Sequence, residues 1–255
     1  MFRDTLRQVL VLVAALTTIV FNIAANILPL NDLNTGELSD RFQIFFVPAG
    51  YVFSIWGLIY IGLIAYAVYQ VLPAQRENPR LRSIGYLFIL SCLANIAWLF
   101  LWHYEFFEYT LIAMLVLLVT LIAIYLRLDI GRGKVSNAEK WAVHIPFSIY
   151  LGWITVATIA NTTQLLYYLD WNGWGISTEI WAVIILAAGV VISAIMSLTR
   201  ADIAYSLVLV WAYIGIAVKH SGTPFVSNSA LIAAGLILVI LIIELIRKYR
   251  LQGVK

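Results

Sequence analysis

Apolar residues run along this chain in eight long blocks separated by short polar segments. Most blocks hold about 18–21 residues, and at 1.5 Å per residue a helix of that length crosses about 30 Å of hydrocarbon. The pattern predicts spans at Val9–Leu28, Val52–Leu72, Ile84–Trp102, Thr110–Leu128, Trp141–Asn161, Ile180–Leu198, Ile203–Val218 and Ser229–Ile246. The seventh is the shortest and follows the sixth across a tight charged turn, Thr199 to Asp202, so those two read as an antiparallel hairpin. The fold class expected is all-α, a polytopic transmembrane bundle of about eight helices.

The basic residues test that count independently. Eight spans collect fourteen of them on one side: Arg3, Arg7, Arg76, Arg80, Arg82, Arg127, Arg132, Lys134, Lys140, Arg200, Arg247, Lys248, Arg250 and Lys255. Only Arg41 and Lys219 fall on the other side. Basic loops stay in the cytoplasm, so both termini are expected there and the protein is expected in the cell (inner) membrane. Adding or dropping one span scrambles the split. Arg3 and Arg7 ahead of an apolar run resemble a secretory signal, but the run is too long for one and reads as a retained helix.

Composition agrees: 63% of the 255 residues are hydrophobic and only 11% are charged, where a soluble domain carries about 25% charged. The one cysteine, Cys92, lies inside an apolar run, where it reads as a packing residue and cannot form an internal disulfide. No segment is long enough to make a soluble domain, and nothing is built for nucleic acid. The expected partners are the lipid bilayer and a hydrophobic small molecule, with a homodimer or a membrane-complex partner left open.

Three spans carry uncommon residues at helical spacing. Phe53, Trp56 and Tyr60 lie at i, i+3 and i+7, as do Asn95, Trp98 and Trp102; Trp153, Ala157 and Asn161 lie at i, i+4 and i+8. Each set forms one stripe. Counted down their helices, the three sets converge roughly 6–12 Å below the non-cytoplasmic surface. Aromatic walls with one or two polar groups are the usual make-up of a small-molecule site. The competing reading is structural: Trp and Tyr near span ends are often belt residues, and an Asn within a span often ties helices together for about 1 kcal/mol. Trp102, Trp171, Trp174 and Trp181 on the non-cytoplasmic side and Trp141 on the other read as such interfacial anchors.

At these stripes the chain resembles the TspO/translocator-protein family of tryptophan-rich sensory proteins. Pro48 through Trp56, followed by Tyr60 and Gly62, is similar to the motif that opens the family's second helix. Leu93-Ala94-Asn95-Ile96-Ala97-Trp98 is similar to its third-helix motif, and Tyr150-Leu151-Gly152-Trp153, then Ala157 and Asn161, to its fifth-helix pattern. The likeness covers about residues 1–162. It implies a five-helix transmembrane core over 1–162, leaving 163–255 as a C-terminal transmembrane extension of about three helices. It also implies a ligand-binding pocket lined by Phe53, Trp56, Tyr60, Asn95, Trp98, Trp153, Ala157 and Asn161. The loop Leu30–Val47 would be its cover, with Phe42, Phe45 and Phe46 as an apolar lid. Family ligands are porphyrins, haem, sterols and aromatic drug-like molecules, so a porphyrin or haem is the ligand implied here, with no cofactor required. The chain departs from the family in its Tyr51-to-Trp56 spacing, in Pro146 standing four residues before Tyr150, and in its three additional spans.

Catalytic chemistry finds little support. His103, His144 and His220 show no metal-ligand spacing, and only His103 sits where it could be a lone axial haem ligand. Glu244, the one acid inside a span, is expected to pair with Arg247 or Lys248. No nucleophile–base set, phosphate loop or zinc signature appears, so no catalytic and no metal-ligating residues are assigned. The functional expectation is therefore a sensor, receptor or carrier for a planar hydrophobic ligand. The alternatives are a porphyrin-degrading enzyme using the electron-rich indoles of Trp56 and Trp153, and a structural or transport subunit of a membrane complex.

Overall fold

A computed structural model describes residues 2–28 and 30–252. Among them lie nine helices and no strand: α1 Phe2–Ile27, α2 Thr35–Asp40, α3 Gly50–Val71, α4 Pro79–His103, α5 Phe107–Arg127, α6 Asn137–Tyr168, α7 Thr178–Arg200, α8 Ile203–Lys219 and α9 Pro224–Gln252. Seven of them are long and apolar enough to cross a membrane, and α8 is a shorter apolar helix of the same kind. Among the described helices α2 alone is neither long nor apolar.

Helix boundaries follow local chemistry. Asn34 caps α2 by accepting from the Gly36 and Glu37 amides while the Glu37 carboxylate accepts from the Asn34 amide, a capping box that lets so short a helix persist. Pro79 opens α4 where its missing N–H costs nothing. Between α7 and α8 the chain reverses through Ala201 in the left-handed region (φ 49°), and Asp202 caps α8 by accepting from the Tyr205 amide at 3.1 Å. Helices run past their apolar blocks where a partner satisfies the polar residue: α1 continues back through Gln8, whose amide donates to the Gln70 carbonyl at 2.5 Å.

Five helices close into a ring in the order α3, α1, α4, α5, α6, with α6 returning to α3. The second layer is α8, which packs on the outer side of α6 and carries α7 and α9 against it. Helix α6 is the hub, with two thirds of its apolar window buried against half or less for every other span. It enters the bilayer through a π-helical turn, Lys140–His144, placed just ahead of Pro146. That proline sits against Gly62 of α3, where an added Cβ would come within 2.9 Å of the Pro146 ring, so the two helices meet closely because Gly62 has no side chain. Outward faces are apolar, as on α1 with Val9, Val13, Leu16 and Val20, which is the surface lipid requires.

Ion pairs sort the two ends. Arg82–Asp4, Arg80–Glu139 and Arg200–Asp129 lie at the end where α1 begins. Arg41–Glu105 and Lys219–Asp40 lie at the other, where α2 covers the ring. Glu244 pairs with Arg247 at 2.7 Å, as the sequence suggested. At the first end a buried node ties the hairpin to the ring: the Asp202 carboxylate accepts from the Tyr125 hydroxyl of α5 at 2.8 Å and the Ser148 hydroxyl of α6 at 2.7 Å.

Candidate functional site

Two adjoining pockets lie beside α2, the larger one half open past the exposed Ile23 and Ile27 of α1. The larger, about 540 Å³, is walled by α1, α2, the start of α3 and Trp98 of α4. The smaller, about 50 Å³, continues inward as a throat between α4, α5 and α6. Phe53, Trp56, Trp98 and Thr35 line both, so the two adjoin across these side chains.

Stripe residues from the three helices meet here. Tyr60 lines the larger part; Asn95, Trp153, Ala157 and Asn161 line the throat. The rings are placed by mutual packing: Trp56 stacks on Tyr60 at 5.7 Å between centroids, and Phe53 and Trp56 meet Trp153 edge-on at 5.7 and 6.2 Å. Edge-on aromatic pairs are worth about 0.5–1.5 kcal/mol beyond the area they bury, and here they leave a throat of about 50 Å³.

Both asparagines bridge three helices. Asn95 accepts from Asn22 of α1 at 2.7 Å and donates to the Tyr150 hydroxyl of α6 at 3.1 Å. Asn161 accepts from Trp98 Nε1 at 3.2 Å and donates to Thr110 of α5 at 2.9 Å. They are therefore interhelical ties as well as wall residues, so the structural and the pocket readings of these positions hold together. Trp153 differs. Its indole is 3% exposed, and its Nε1–H has no hydrogen-bond partner. A buried donor left unpaired costs about 1–3 kcal/mol.

The cover departs from the expected apolar lid. Phe42 packs on Trp102 and Phe107, Phe46 on Tyr213 of α8 and Phe45 on His220, and none of the three lines either cavity. They anchor the cover; the surface it turns toward the cavity is polar, with Asn34, Thr35, Glu37 and Asp40. Further fastenings come from α8: the Ala49 amide donates to the Gly215 carbonyl at 3.1 Å, Trp211 Nε1 donates to the Val52 carbonyl at 3.1 Å, and Lys219 pairs with Asp40. Burial and the neighbouring Lys219 charge hold the His220 imidazole below its usual pKa of 6.5. Its folded pKa is depressed, so the stability it contributes is present above 6.5 and is lost as pH falls through the lowered value. Acidifying from pH 7 to about 5 is expected to loosen the cover, read as faster alkylation of a cysteine placed at Ala157, and His220→Phe is expected to remove the pH dependence.

Several participants went unrecognised in the sequence. Trp102, read as an interfacial anchor, is 1% exposed and donates from Nε1 to the Thr35 carbonyl, pinning the cover at the throat. Asn22 and Asn26 of α1 line the larger cavity, and their i, i+4 spacing after Thr18 was a visible signal. His103, the candidate axial ligand, lines neither cavity; its Nδ1 lies 2.9 Å from the Leu99 carbonyl.

Fold and site together define a polytopic α-helical integral membrane protein with a partly covered, aromatic-lined pocket at one end of its helix ring. The chain belongs to the TSPO-like protein family, whose model matches residues 8–243 and so reaches from α1 into α9. No curated protein and no solved structure matches.

Proposed function

We propose that this protein is a receptor or carrier for a planar hydrophobic molecule, held in the tapered cavity between α3, α4 and α6 and closed over by α2. The observation that carries the reading is convergence: Phe53, Trp56, Tyr60, Asn95, Trp98, Trp153, Ala157 and Asn161 each border one or both of two adjoining spaces. A cavity of about 540 Å³ is within the range that takes a drug-sized ligand, about 300–1,000 Å³. Ala157 leaves room beside the Trp153 indole for a flat ring, and a tetrapyrrole is one such molecule. The excess of basic residues at the end carrying both termini supports their placement in the cytoplasm and the cavity mouth on the opposite side of the cell membrane.

Titrating the purified protein with protoporphyrin IX dimethyl ester is expected to quench tryptophan fluorescence saturably. Trp153→Ala and Trp56→Ala are each expected to weaken binding about tenfold, a loss in keeping with one aromatic wall. Linear, unsaturable quenching that neither substitution alters would remove the proposal.

A further inference from the structure

The cavity's electrostatics narrow its ligand further, given the binding reading above. No Lys, Arg or His lines either part of the cavity among the described residues. Acceptors and acids do: Asn22, Asn26 and Asn34 line the larger part together with the carboxylates of Glu37 and Asp40. The connections on that face of the protein carry seven acids and only two bases, Arg41 and Lys219, although the whole chain is net +3. Both bases are committed, Arg41 to Glu105 and Lys219 to Asp40. The potential at the mouth is therefore negative, and a low-dielectric wall focuses it. A carboxylate entering there meets the Glu37 charge and finds no free cation, since Lys219 is held by Asp40, and burying an unpaired charge is costly.

The far end of the cavity has the opposite need. Trp153 is a throat residue whose buried Nε1–H nothing in the protein satisfies, while the Trp98 indole, also in the lining, donates to Asn161. A ligand acceptor placed in the throat relieves that cost. Trp56 and Tyr60, stacked on each other along the larger part, offer aromatic faces that favour a cation.

We infer that the cavity selects a planar amphiphile with a hydrogen-bond acceptor at its deep end and a neutral or cationic group at the mouth, and that it discriminates against dicarboxylates such as a free porphyrin diacid. Three probes test this by tryptophan quenching in nanodiscs of neutral lipid: protoporphyrin IX, its dimethyl ester, and the planar cation acridine orange. The ester is expected to bind at least about tenfold more tightly than the diacid at low ionic strength, with the gap shrinking as salt screens the mouth. Glu37→Gln keeps the capping box of α2, since glutamine serves there too, and is expected to narrow the gap; Glu37→Lys is expected to close it. Trp153→Phe keeps a ring and removes the donor, and is expected to weaken the ester but leave acridine orange, which offers no strong acceptor, unchanged. Diacid binding as tight as the ester's, or a gap that Glu37→Lys leaves untouched, overturns the inference while leaving the binding reading standing. If none of the three probes quenches saturably, both fall.

Discussion

Asp202→Ala is expected to lower the stability of the bundle by roughly 3 kcal/mol, measured as a fall in thermal or denaturant midpoint in mild detergent. The carboxylate accepts three hydrogen bonds, from Tyr125, Ser148 and the Tyr205 amide, and the residue is 6% exposed. Alanine leaves two hydroxyls without acceptors in a place water does not reach, and it uncaps α8. Asp202→Asn is expected to cost less, because its one carbonyl oxygen still serves either the two hydroxyls or the amide. The damage should spread beyond the turn: α5, α6 and the α7–α8 hairpin meet at this carboxylate, so its loss frees the outer layer from the ring. A stability unchanged within about 0.5 kcal/mol would mean that the node contributes nothing net.

Gly215→Ala is expected to be nearly as harmful to the cover, and in a way that a second substitution relieves. A Cβ on Gly215 would stand 2.2 Å from Val52 Cγ2 and 3.1 Å from Pro48 Cβ. Val52 is fully buried, and the Gly215 carbonyl accepts from the Ala49 amide, so neither side can move without breaking the other contact. Overpacking of this kind costs about 1–3 kcal/mol. The cover is expected to lift from α8, seen as increased protease cleavage between residues 41 and 49 and as weaker retention of the dimethyl ester. Val52→Ala in the same chain is expected to restore both, because it removes the atom that is struck. A double variant as impaired as the single one would place the fault elsewhere.

Much of this architecture was legible in the amino-acid order, for reasons that differ by element. The eight crossings announce themselves because lipid leaves so few alternatives for an apolar run of that length. The stripes on α3, α4 and α6 were legible because helical spacing puts their members on one face, and the ring brings those faces together. The cover departs from what the family resemblance implies, an apolar lid of Phe42, Phe45 and Phe46. They turn instead toward Trp102, Tyr213 and His220, and those contacts join residues up to some 175 positions apart along the chain. The fastening by α8 left no local trace for the same reason: Gly215 and Trp211 look like ordinary span residues until Ala49 and Val52 are placed against them. Nor could the unpaired Trp153 donor be foreseen, since only an inventory of neighbours shows that nothing accepts from it.

The cavity lies at one end of the bundle, and α1 begins and α9 finishes at the other. Helix α6 runs the whole way between them. Asn161, beside the throat, stands 22 residues from Glu139, which grips Arg80 at the far end, about 33 Å along a helix axis. A partner held where α1 begins would sense a ligand in the cavity through a shift or rotation of this rod or of α1, whose Asn22 and Asn26 line the larger space. A reporter fused to either terminus would, by the same geometry, leave the entrance unobstructed.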